Sequence, residues 1–449
     1  MKKQAFNPYL PSWEYIPDGE PHVFGGRIYV FGSHDIFNGW VFCLGDYICY
    51  SAPVDDLSDW RYEGVIYPKT ADPLNKDGKM CLYAPDVTVG PDGRYYLFYE
   101  LDKTSVVSVA VSDTPAGKYE FYGYVHYKDG TRLGERKGDE PMFDPAVITE
   151  GDKTYLYTGF CGRGDKSRHG SMCTVLGKDM LTVEEEPVFI VPGIEYAKGS
   201  TFEGHSFFEA SSIRKIGDTY YFVYSCESMR ELCYATSKNP RKDFVYGGVL
   251  VSNEGGNNHG SIVKIKDNWY VFYHRQTNGN WYSRQGCAEK IEILKDGSIP
   301  QVEMTSCGLN GGALKGKGEY SAHIACNLYN RKENNFFVPG SYPRLTQDGK
   351  DGDEIEGHIE NIRGGDTIGF KYFDFKDTKK ITIITRGYCS GTFEVKTALD
   401  APALAKIKVE FTNNWEKFSS PVDLSCGKAP LYLTYCGNDV AMLKGIILE

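Results

Sequence analysis

The sequence lacks any apolar run of the roughly 18 residues that a membrane-spanning helix needs. Its start, MKKQAFNPYLPSWEY, has two lysines but no apolar segment after them, so we expect no secretory signal. Long basic runs are also missing, and the formal net charge is -10. These absences argue against a membrane, an anionic lipid surface or nucleic acid as a partner, and they fit a neutral, polar ligand.

The 13 cysteines lack the closely spaced pairs of a zinc-binding motif, because they are scattered singly along the chain. Several lie within strand-like segments such as YICY, FVYSC and LTYC, where a free thiol packs as a small apolar group. We therefore expect free thiols in a reducing environment and predict a cytoplasmic location.

Turn-forming and aromatic residues are abundant, and five segments repeat one pattern: a polar leader residue, an apolar strand, a turn, and a second strand containing a tyrosine. The leader residues are Asp18, Asp86, Asp144, Glu209 and His259, and the tyrosine follows 10 to 12 residues later each time. Strand repeats of about this length are typical of the blades of a β-propeller. Because equivalent positions on radially arranged blades converge near one axis, we predict that the leader residues form a reaction site.

The sequence predicts an all-β protein of two domains. The repeats place a five-bladed β-propeller in residues 1–305. Residues 306–319, rich in glycine and lysine, are predicted as a linker or a boundary strand. Residues 320–449 contain irregularly spaced alternating strands, which predict a β-sandwich of jelly-roll type.

The repeat segments resemble glycoside hydrolase family 43, whose members are five-bladed propellers with carboxylates at the axis. The resemblance rests on NPYLPSWEYIPDGEPHVFGGRIYVFGSHD, YAPDVTVGPDGRYYLFYE, FDPAVITEGDKTYLYTGF, FFEASSIRKIGDTYYFVYS and NNHGSIVKIKDNWYVFYHRQ. The C-terminal segments ENIRGGDTIGFKYFDF and LYLTYCGND are similar to a family 6 carbohydrate-binding module. That domain is expected either to pack on the propeller or to bind sugar independently.

The family resemblance implies three carboxylates and inversion at the anomeric carbon. Matched to this sequence, the general base is Asp18, the residue that sets the pKa of the acid is Asp144, and the general acid is Glu209. The first blade departs from the family's usual Asp-Pro start, since it reads Asp-Gly-Glu-Pro, so Glu20 is a rival for the base. Glu203 is a rival acid that lies outside the repeat register.

Inverting hydrolysis needs a protonated carboxyl at the leaving oxygen and an ionised carboxylate that activates water on the opposite face, roughly 6.5–9.5 Å apart. Leader residues on the first and fourth blades could span such a gap. Glu209 would then need a raised pKa, which a neighbouring Asp144 carboxylate would supply by like-charge repulsion, while Asp18 must stay ionised.

The remaining leader residues have two interpretations each. Asp86 either touches a substrate hydroxyl or accepts backbone N–H groups at the axis. His259 is either a packing residue or, as the resemblance implies, a ligand of a hydrated Ca²⁺ ion, which otherwise prefers oxygen ligands. Arg275 either reaches the sugar with its guanidinium fork or forms a surface salt bridge.

Aromatic residues near the leader residues and in the long inserts are expected to cover the apolar faces of a sugar. They are Phe37, Trp40, Tyr83, Phe143, Phe160, Phe208 and Trp281. Of these, Phe37, Trp40 and Phe208 are our predicted substrate contacts.

Together these features predict an exo-acting, inverting glycoside hydrolase that releases terminal α-L-arabinofuranose from arabinoxylan-type oligosaccharides. A β-D-xylosidase, or an enzyme with both activities, is the alternative within the same fold. A carbohydrate-binding propeller without catalysis is the second alternative, but such a protein would have no need for an acid and a base in register. The expected cofactor is one Ca²⁺ ion at the axis, with no organic cofactor.

Overall fold

The structure is a computed structural model, and it describes residues 3–330, 333–334, 340 and 342–449. Almost all regular structure is β-strand. In the part of the chain that the structure describes, four short 3-10 helices lie at Lys69–Ala71, Pro73–Asn75, Gly308–Asn310 and Ala322–Ile324. Within the described residues, none of the helices is long and apolar enough to cross a membrane.

Residues 20–291 form five antiparallel sheets, which are the blades of a propeller. The first blade contains β1 Glu20–Phe24, β2 Arg27–Phe31, β3 Tyr47–Pro53 and β4 Arg61–Tyr67. The second contains β5 Asp86–Val89, β6 Tyr95–Tyr99, β7 Ser108–Ser112 and β8 Glu120–Tyr124. The third contains β9 Ala146–Glu150, β10 Lys153–Thr158, β11 Gly170–Leu176 and β12 Val183–Pro192. The fourth blade contains β13 Phe207–Ile216, β14 Thr219–Cys226, β15 Glu231–Ser237 and β16 Val245–Ser252. The fifth contains β17 Ser261–Ile265, β18 Asn268–Gln276 and β19 Arg284–Ile291.

The first strands of the five blades surround the axis. β1 contacts β5, β5 contacts β9, β9 contacts β13, β13 contacts β17, and β17 returns to β1. Each leader residue lies within the first strand of its blade or two residues before it, and each repeat tyrosine lies in the second strand. The predicted all-β propeller is confirmed, and the leader residues converge because the strands that carry them form the innermost ring.

The fifth blade has three strands, and the N-terminal segment covers its outer edge. The backbone N–H of Tyr9 donates to the carbonyl of Gly286 at 3.3 Å. The side chain of Asn7 accepts from the N–H of Ala288 at 2.8 Å and donates to its carbonyl at 2.9 Å. These bonds satisfy part of an otherwise unpaired strand edge and join the start of the chain to the last blade.

The C-terminal strands form two packed sheets. In chain order they are β20 Leu314–Lys315, β21 Gly318–Ser321, β22 Asn327–Asn330, β23 Glu333–Asn334, β24 Arg344–Thr346, β25 His358–Ile362, β26 Thr367–Phe375, β27 Thr378–Gly387, β28 Ser390–Lys396, β29 Ala405–Val409, β30 Thr412–Leu424, β31 Gly427–Asn438 and β32 Ala441–Leu448. One sheet has the order β23-β22-β26-β31-β28-β29, with β20 paired to β26. The other has the order β24-β25-β32-β27-β30, with β21 paired to β32. Part of the segment predicted as a linker or boundary strand therefore pairs with strands of both sheets.

The sandwich and the propeller share one hydrophobic core. A continuous buried cluster runs from Tyr221 and Val271 of the fourth and fifth blades to Phe373 and Leu448 of the sandwich. Arg275 crosses the same boundary, because its guanidinium donates to the carbonyls of His323 and Ala325, both at 2.8 Å. The structure thus shows the sandwich packed on the propeller.

Candidate active site

A cavity of about 510 Å³ opens at the end of the propeller axis where the leader residues lie. Its wall contains four polar groups that matter for chemistry, Asp18, Asp144, Glu209 and His259, which come from four different blades. The rest of the wall is largely aromatic. A concave, mostly apolar site with a few convergent polar groups is the usual form of a small-ligand site.

Irregular backbone holds the three carboxylates at the ends of their strands. Asp18 and Asp144, each two residues before a first strand, have φ angles of 57° and 48°. Glu209 lies where the register of β13 against β14 shifts, and the next residue, Ala210, has a φ of 70°. Left-handed conformations and bulges interrupt the strand ladder and redirect side chains, and they are frequent at functional sites.

Asp18 is a buried carboxylate paired with Arg284. Nη1 of Arg284 donates to Oδ1 of Asp18 at 2.9 Å, and its other nitrogens bind Asp35 at 2.8 and 3.0 Å. Burial opposes ionisation of Asp18, but the Arg284 guanidinium holds the pKa of Asp18 well below its usual range. The backbone N–H of Asp18 donates to Nδ1 of His274 at 3.3 Å, which fixes the position of the carboxylate. Asp18 is therefore ionised at neutral pH, as a general base must be.

The pKa of Glu209 is raised, whereas that of Asp18 is lowered. Burial and the negative charge of Asp18 raise its pKa to about 7, although the hydrogen bond from Nδ2 of Asn257 to Oε1, at 2.7 Å, opposes the shift. A carboxyl group with this pKa is still partly protonated at neutral pH and can donate a proton. The negative charge of Asp18 thus acts on Glu209, in addition to the repulsion between Glu209 and Asp144 that the sequence interpretation expected.

Asp144 faces His259 and interacts with both of the other carboxylates. Its Oδ2 accepts from the N–H of Ala210 at 2.9 Å and lies 3.6 Å from Nδ1 of His259. Burial and the Glu209 carboxylate raise the pKa of Asp144 as well, so the two groups disfavour simultaneous ionisation. Since Asp144 binds the residue next to Glu209, it also helps to position Glu209.

His259 is buried beneath the carboxylates and is uncharged at neutral pH. Burial lowers its pKa to about 4. Its Nδ1 faces Asp144 and Asp18, at 3.6 and 3.9 Å, and its Nε2 has no hydrogen-bond partner among the described residues. A buried imidazole nitrogen without a partner is suited to a water molecule or a metal ion.

Aromatic rings form one continuous side of the cavity. Tyr83, Phe143, Phe160 and Phe208 follow one another with ring centroids 5.8, 4.8 and 5.7 Å apart, and they come from blades two to four. Trp281 and Tyr282 line the wall contributed by the fifth blade. The predicted contact Phe208 is therefore in the wall, with four further aromatic residues that the sequence had singled out.

Two other predicted substrate contacts lie away from the cavity. Phe37 is buried against Tyr15, with ring centroids 6.0 Å apart, and its backbone N–H donates to Asp351 of the sandwich at 2.8 Å. Trp40 is 79% exposed and does not contribute to the wall. Phe37 and Trp40 belong to the long segment between β2 and β3, which contacts the sandwich through Phe37. Within this segment, Phe42 and Cys43 line the cavity.

Asp86 and Arg275 do not line the cavity either, and each binds other parts of the protein instead. Asp86 is fully buried, accepts from the N–H groups of Val87 and Val147 at 2.7 and 2.8 Å, and pairs with Nε2 of His22 at 2.8 Å. It thereby joins the first three blades. Arg275 lies at the domain boundary described above, because its place in β18 directs its side chain toward the sandwich.

The rival carboxylates are separate from the site. Glu20 is buried and paired with Arg214 at 2.6 Å, two residues after Asp18 in the chain. Glu203 is exposed, and its carboxylate accepts from the N–H of Gly199 at 3.0 Å. Neither lines the cavity.

Sequence reasoning missed the cation that organises the site. Arg284 donates to Asp18, to Asp35 and, at 3.0 Å, to Oδ1 of Asn257, which in turn binds Glu209. In the sequence, Arg284 stands at the start of the strand-like segment RQGCAEKI, and an arginine at such a place resembles a solvent-exposed residue. The one sequence signal for this network is the position of Asn257, two residues before the leader residue His259.

The arrangement defines a class of protein. An ionised carboxylate and a protonated carboxyl face one cavity, and no nucleophile–histidine pair lies among its lining residues. Such a pair of carboxyl groups with opposite protonation is the machinery of a glycoside hydrolase.

Comparison with known proteins identifies the family. The model of glycosyl hydrolases family 43 matches residues 31–299, more than half of the chain, and the chain belongs to this family. A protein called xylosidase/arabinosidase from Thermoclostridium stercorarium is 64% identical, with 100% of this chain and 99% of that protein covered.

Solved structures agree with this assignment. A family 43 arabinoxylan arabinofuranohydrolase from Bacillus subtilis covers 98% of this chain and 97% of its own, with a TM-score of 0.55 and 21% identity, and it shares the fold. A family 43 β-xylosidase/α-arabinofuranosidase from a compost microbial metagenome, in complex with xylotriose and in a calcium-free form, covers 66% of this chain and 97% of its own. Its TM-score is 0.54 and its identity is 27%.

Proposed function

We propose that this glycoside hydrolase removes terminal α-L-arabinofuranose from arabinoxylan-type oligosaccharides with inversion. The observation that carries the proposal is the opposite ionisation of Asp18 and Glu209 across one aromatic-walled cavity at the propeller axis. A cavity of about 510 Å³ suits a short ligand better than a polymer chain that passes through it.

In this mechanism Glu209 donates its proton to the leaving glycosidic oxygen, and Asp18 accepts a proton from the water that attacks the anomeric carbon from the opposite face. Arg284 keeps Asp18 ionised, and Asn257 orients the Glu209 carboxyl. Asp144 holds the backbone next to Glu209. The aromatic wall covers the apolar face of the sugar and excludes water from the acid.

β-D-Xylosidase activity is the second candidate, alone or beside the first. The name of the relative from Thermoclostridium stercorarium includes both activities, and that relative matches the chain over its whole length. Terminal xylopyranose and arabinofuranose both present an apolar ring face and several hydroxyl groups to such a wall.

The decisive experiment compares hydrolysis of aryl α-L-arabinofuranoside and aryl β-D-xyloside by the wild type and by the Glu209→Gln variant. We expect higher kcat/KM on the arabinofuranoside, and loss of activity on natural oligosaccharides in the variant. NMR spectroscopy of the first-formed sugar should show the inverted anomer. Net retention would contradict the one-water mechanism, and full activity of the variant would contradict the assignment of the acid.

We further propose one Ca²⁺ ion at the axis, bound through Nε2 of His259. The buried nitrogen without a partner and the neutral imidazole fit a metal ligand. Because Ca²⁺ prefers oxygen, water molecules would complete its coordination. The ion would add positive charge beneath Asp144 and Asp18 and so favour their ionised forms.

A further inference from the structure

Two cysteines, a histidine and a glutamate meet beside the β14–β15 hairpin of the fourth blade, and none of the four lines the catalytic cavity. They are His205, Cys226, Glu231 and Cys233, and one possible ligand atom from each lies within 4.8 Å of those of all the others. Sequence reasoning expected the cysteines to act singly, since Cys226 and Cys233 are separated by six residues and the histidine lies in an earlier loop.

Strand pairing explains how three of the four side chains meet. Ser225 of β14 pairs with Leu232 of β15, so Cys226 and Glu231 are the next opposed positions, and Cys233 lies opposite Tyr224. Side chains alternate along a strand, which places Cys226, Glu231 and Cys233 on one face of this hairpin.

The loop before β13 brings His205 over the same face. The hydroxyl of Tyr224 donates to the carbonyl of His205 at 2.7 Å, and the ring of Tyr246 stacks on the imidazole with centroids 4.6 Å apart and planes 9° apart. These contacts hold the imidazole in place without using Nδ1. That nitrogen is buried and has no hydrogen-bond partner among the described residues.

The distances between these atoms match the ligand separations around one ion. Nδ1 of His205 lies 3.8 Å from Oε2 of Glu231, which is too long for a hydrogen bond. Sγ of Cys226 lies 3.4 Å from the same oxygen and donates a hydrogen bond to it when no ion is bound. With zinc bonds of about 2.0–2.3 Å, the ligands of a tetrahedral ion are separated by roughly 3.3–3.8 Å.

We propose that His205, Cys226, Glu231 and Cys233 form a tetrahedral binding site for one zinc-type divalent ion. Two thiolates and an imidazole favour Zn²⁺ over the hard Ca²⁺ ion. Both sulfurs are buried, whereas the side chains of His205 and Glu231 are 34% and 32% exposed, so the site has an entry path from solvent. Binding releases the thiol protons to water.

The site would tie together two segments that lead to the cavity. His205 lies four residues before Glu209, and the turn between Cys226 and Glu231 carries Met229, which lines the cavity wall. An ion bound here would fix the loop before the acid against that turn. We therefore expect zinc to stabilise the enzyme without taking part in the reaction.

The test uses the full chain, freed of metal by chelation and kept reduced, then titrated with Zn²⁺ and separately with Co²⁺. We expect one zinc per chain by elemental analysis and tetrahedral, thiolate-to-cobalt absorption bands. Zinc should also raise the melting temperature of the wild type. The matched control is Cys426→Ser with Cys436→Ser, which removes the two exposed cysteines and should leave binding unchanged.

The Cys226→Ser and Cys233→Ser variants should lose the cobalt bands and weaken zinc binding by more than the roughly 10–100-fold that loss of an outer-sphere partner costs. If these changes at buried cysteines impair folding, the His205→Gln and Glu231→Gln variants give the same test, because those two side chains are partly exposed. Absence of stoichiometric zinc uptake by the reduced wild type would overturn the proposal. So would zinc binding of equal strength in the folded His205→Gln and Glu231→Gln variants.

Discussion

Nη1 of Arg284 donates to Oδ1 of Asp18 at 2.9 Å, and this bond joins the last strand of the fifth blade to the residue that begins the first. The same contact closes the propeller ring at its catalytic end and keeps the proposed base ionised. Arg284 also reaches Glu209 through Asn257, so one cation connects the proposed base and acid.

The first prediction distinguishes the proposed catalytic carboxylates, Asp18 and Glu209, from the nearby carboxylates Glu20 and Glu203. Asp18→Asn and Glu209→Gln should each lower kcat/KM on natural oligosaccharides by about 10²–10⁴-fold, because each removes one proton-transfer group. Glu209→Gln should lose much less on an aryl glycoside whose leaving group needs no proton. The matched controls are Glu203→Gln, which is exposed, and Glu20→Gln, which is paired with Arg214 away from the cavity. Equal losses at Glu20 and Asp18 would contradict the assignment of the base.

The pH profile should report the raised pKa of Glu209. The acid is active when protonated, so kcat/KM should fall as the pH rises through about 7. The pKa of Asp18 is well below its usual range, so Asp18 should not limit activity between about pH 4 and 7.

The Asn257→Ala variant tests the origin of this pKa. Its hydrogen bond favours the ionised form of Glu209, so removing it should move the alkaline limb of the profile to higher pH. Asn278→Ala, in the loop of the fifth blade, is the control and should leave the limb in place. A shift to lower pH in Asn257→Ala would contradict this account.

The Arg284→Met variant should be strongly destabilised. It leaves Asp18 and Asp35 buried without their cation, a loss of about 3–5 kcal/mol in the free energy of unfolding. Denaturant unfolding measures the change. Arg136→Met, which breaks an exposed pair with Glu186, should cost about 0–1 kcal/mol. A similar, small cost at both positions would show that the buried network does not stabilise the fold.

Arg275→Met distinguishes stability from catalysis. Its side chain binds sandwich carbonyls, so the variant should unfold more easily yet keep its kcat/KM at temperatures where it remains folded. Loss of substrate affinity in the folded variant would instead support the sequence-based expectation that Arg275 reaches the sugar.

The two tryptophans give a matched test of the cavity wall. Trp281→Ala should lower kcat/KM by about tenfold or more, equivalent to about 1.4 kcal/mol, because Trp281 lines the cavity. Trp40→Ala should have little effect, since Trp40 is exposed outside the wall. The reverse order of effects would place the substrate in the insert that carries Trp40.

Calcium removal should affect the enzyme through His259. We expect a calcium-selective chelator to lower the melting temperature and activity of wild-type enzyme already loaded with zinc, and Ca²⁺, but not further Zn²⁺, to restore both. The His259→Gln variant should respond less to either treatment. An unchanged melting temperature after verified calcium removal would count against the ion.

Much of the fold was predictable because its periodicity is local. Alternating apolar residues, turn residues at GG, PDG, GD and KDN, and the repeated tyrosine specify hairpins within short segments of sequence. The leader residues could be identified for the same reason, since each has a fixed offset from its tyrosine. Asp18, Asp144, Glu209, His259 and Phe208 are all in the cavity wall.

Positions outside that repeat were less predictable. Phe37 and Trp40 lie in the long segment between β2 and β3, which has no periodic pattern that predicts which of its residues face the axis. Arg275 follows the strand pattern, yet its environment depends on the sandwich that packs against β18. A side chain's partner from a distant segment is not encoded in local spacing.

The sequence by itself determined the blades, their order and the polar residue that begins each one, because hydrophobic alternation and turn chemistry act over a few residues. Only the tertiary structure decided which carboxylate is ionised and which is protonated. That difference arises from burial and from Arg284, which lies 266 residues from Asp18 in the chain and reaches it only when the last blade closes against the first.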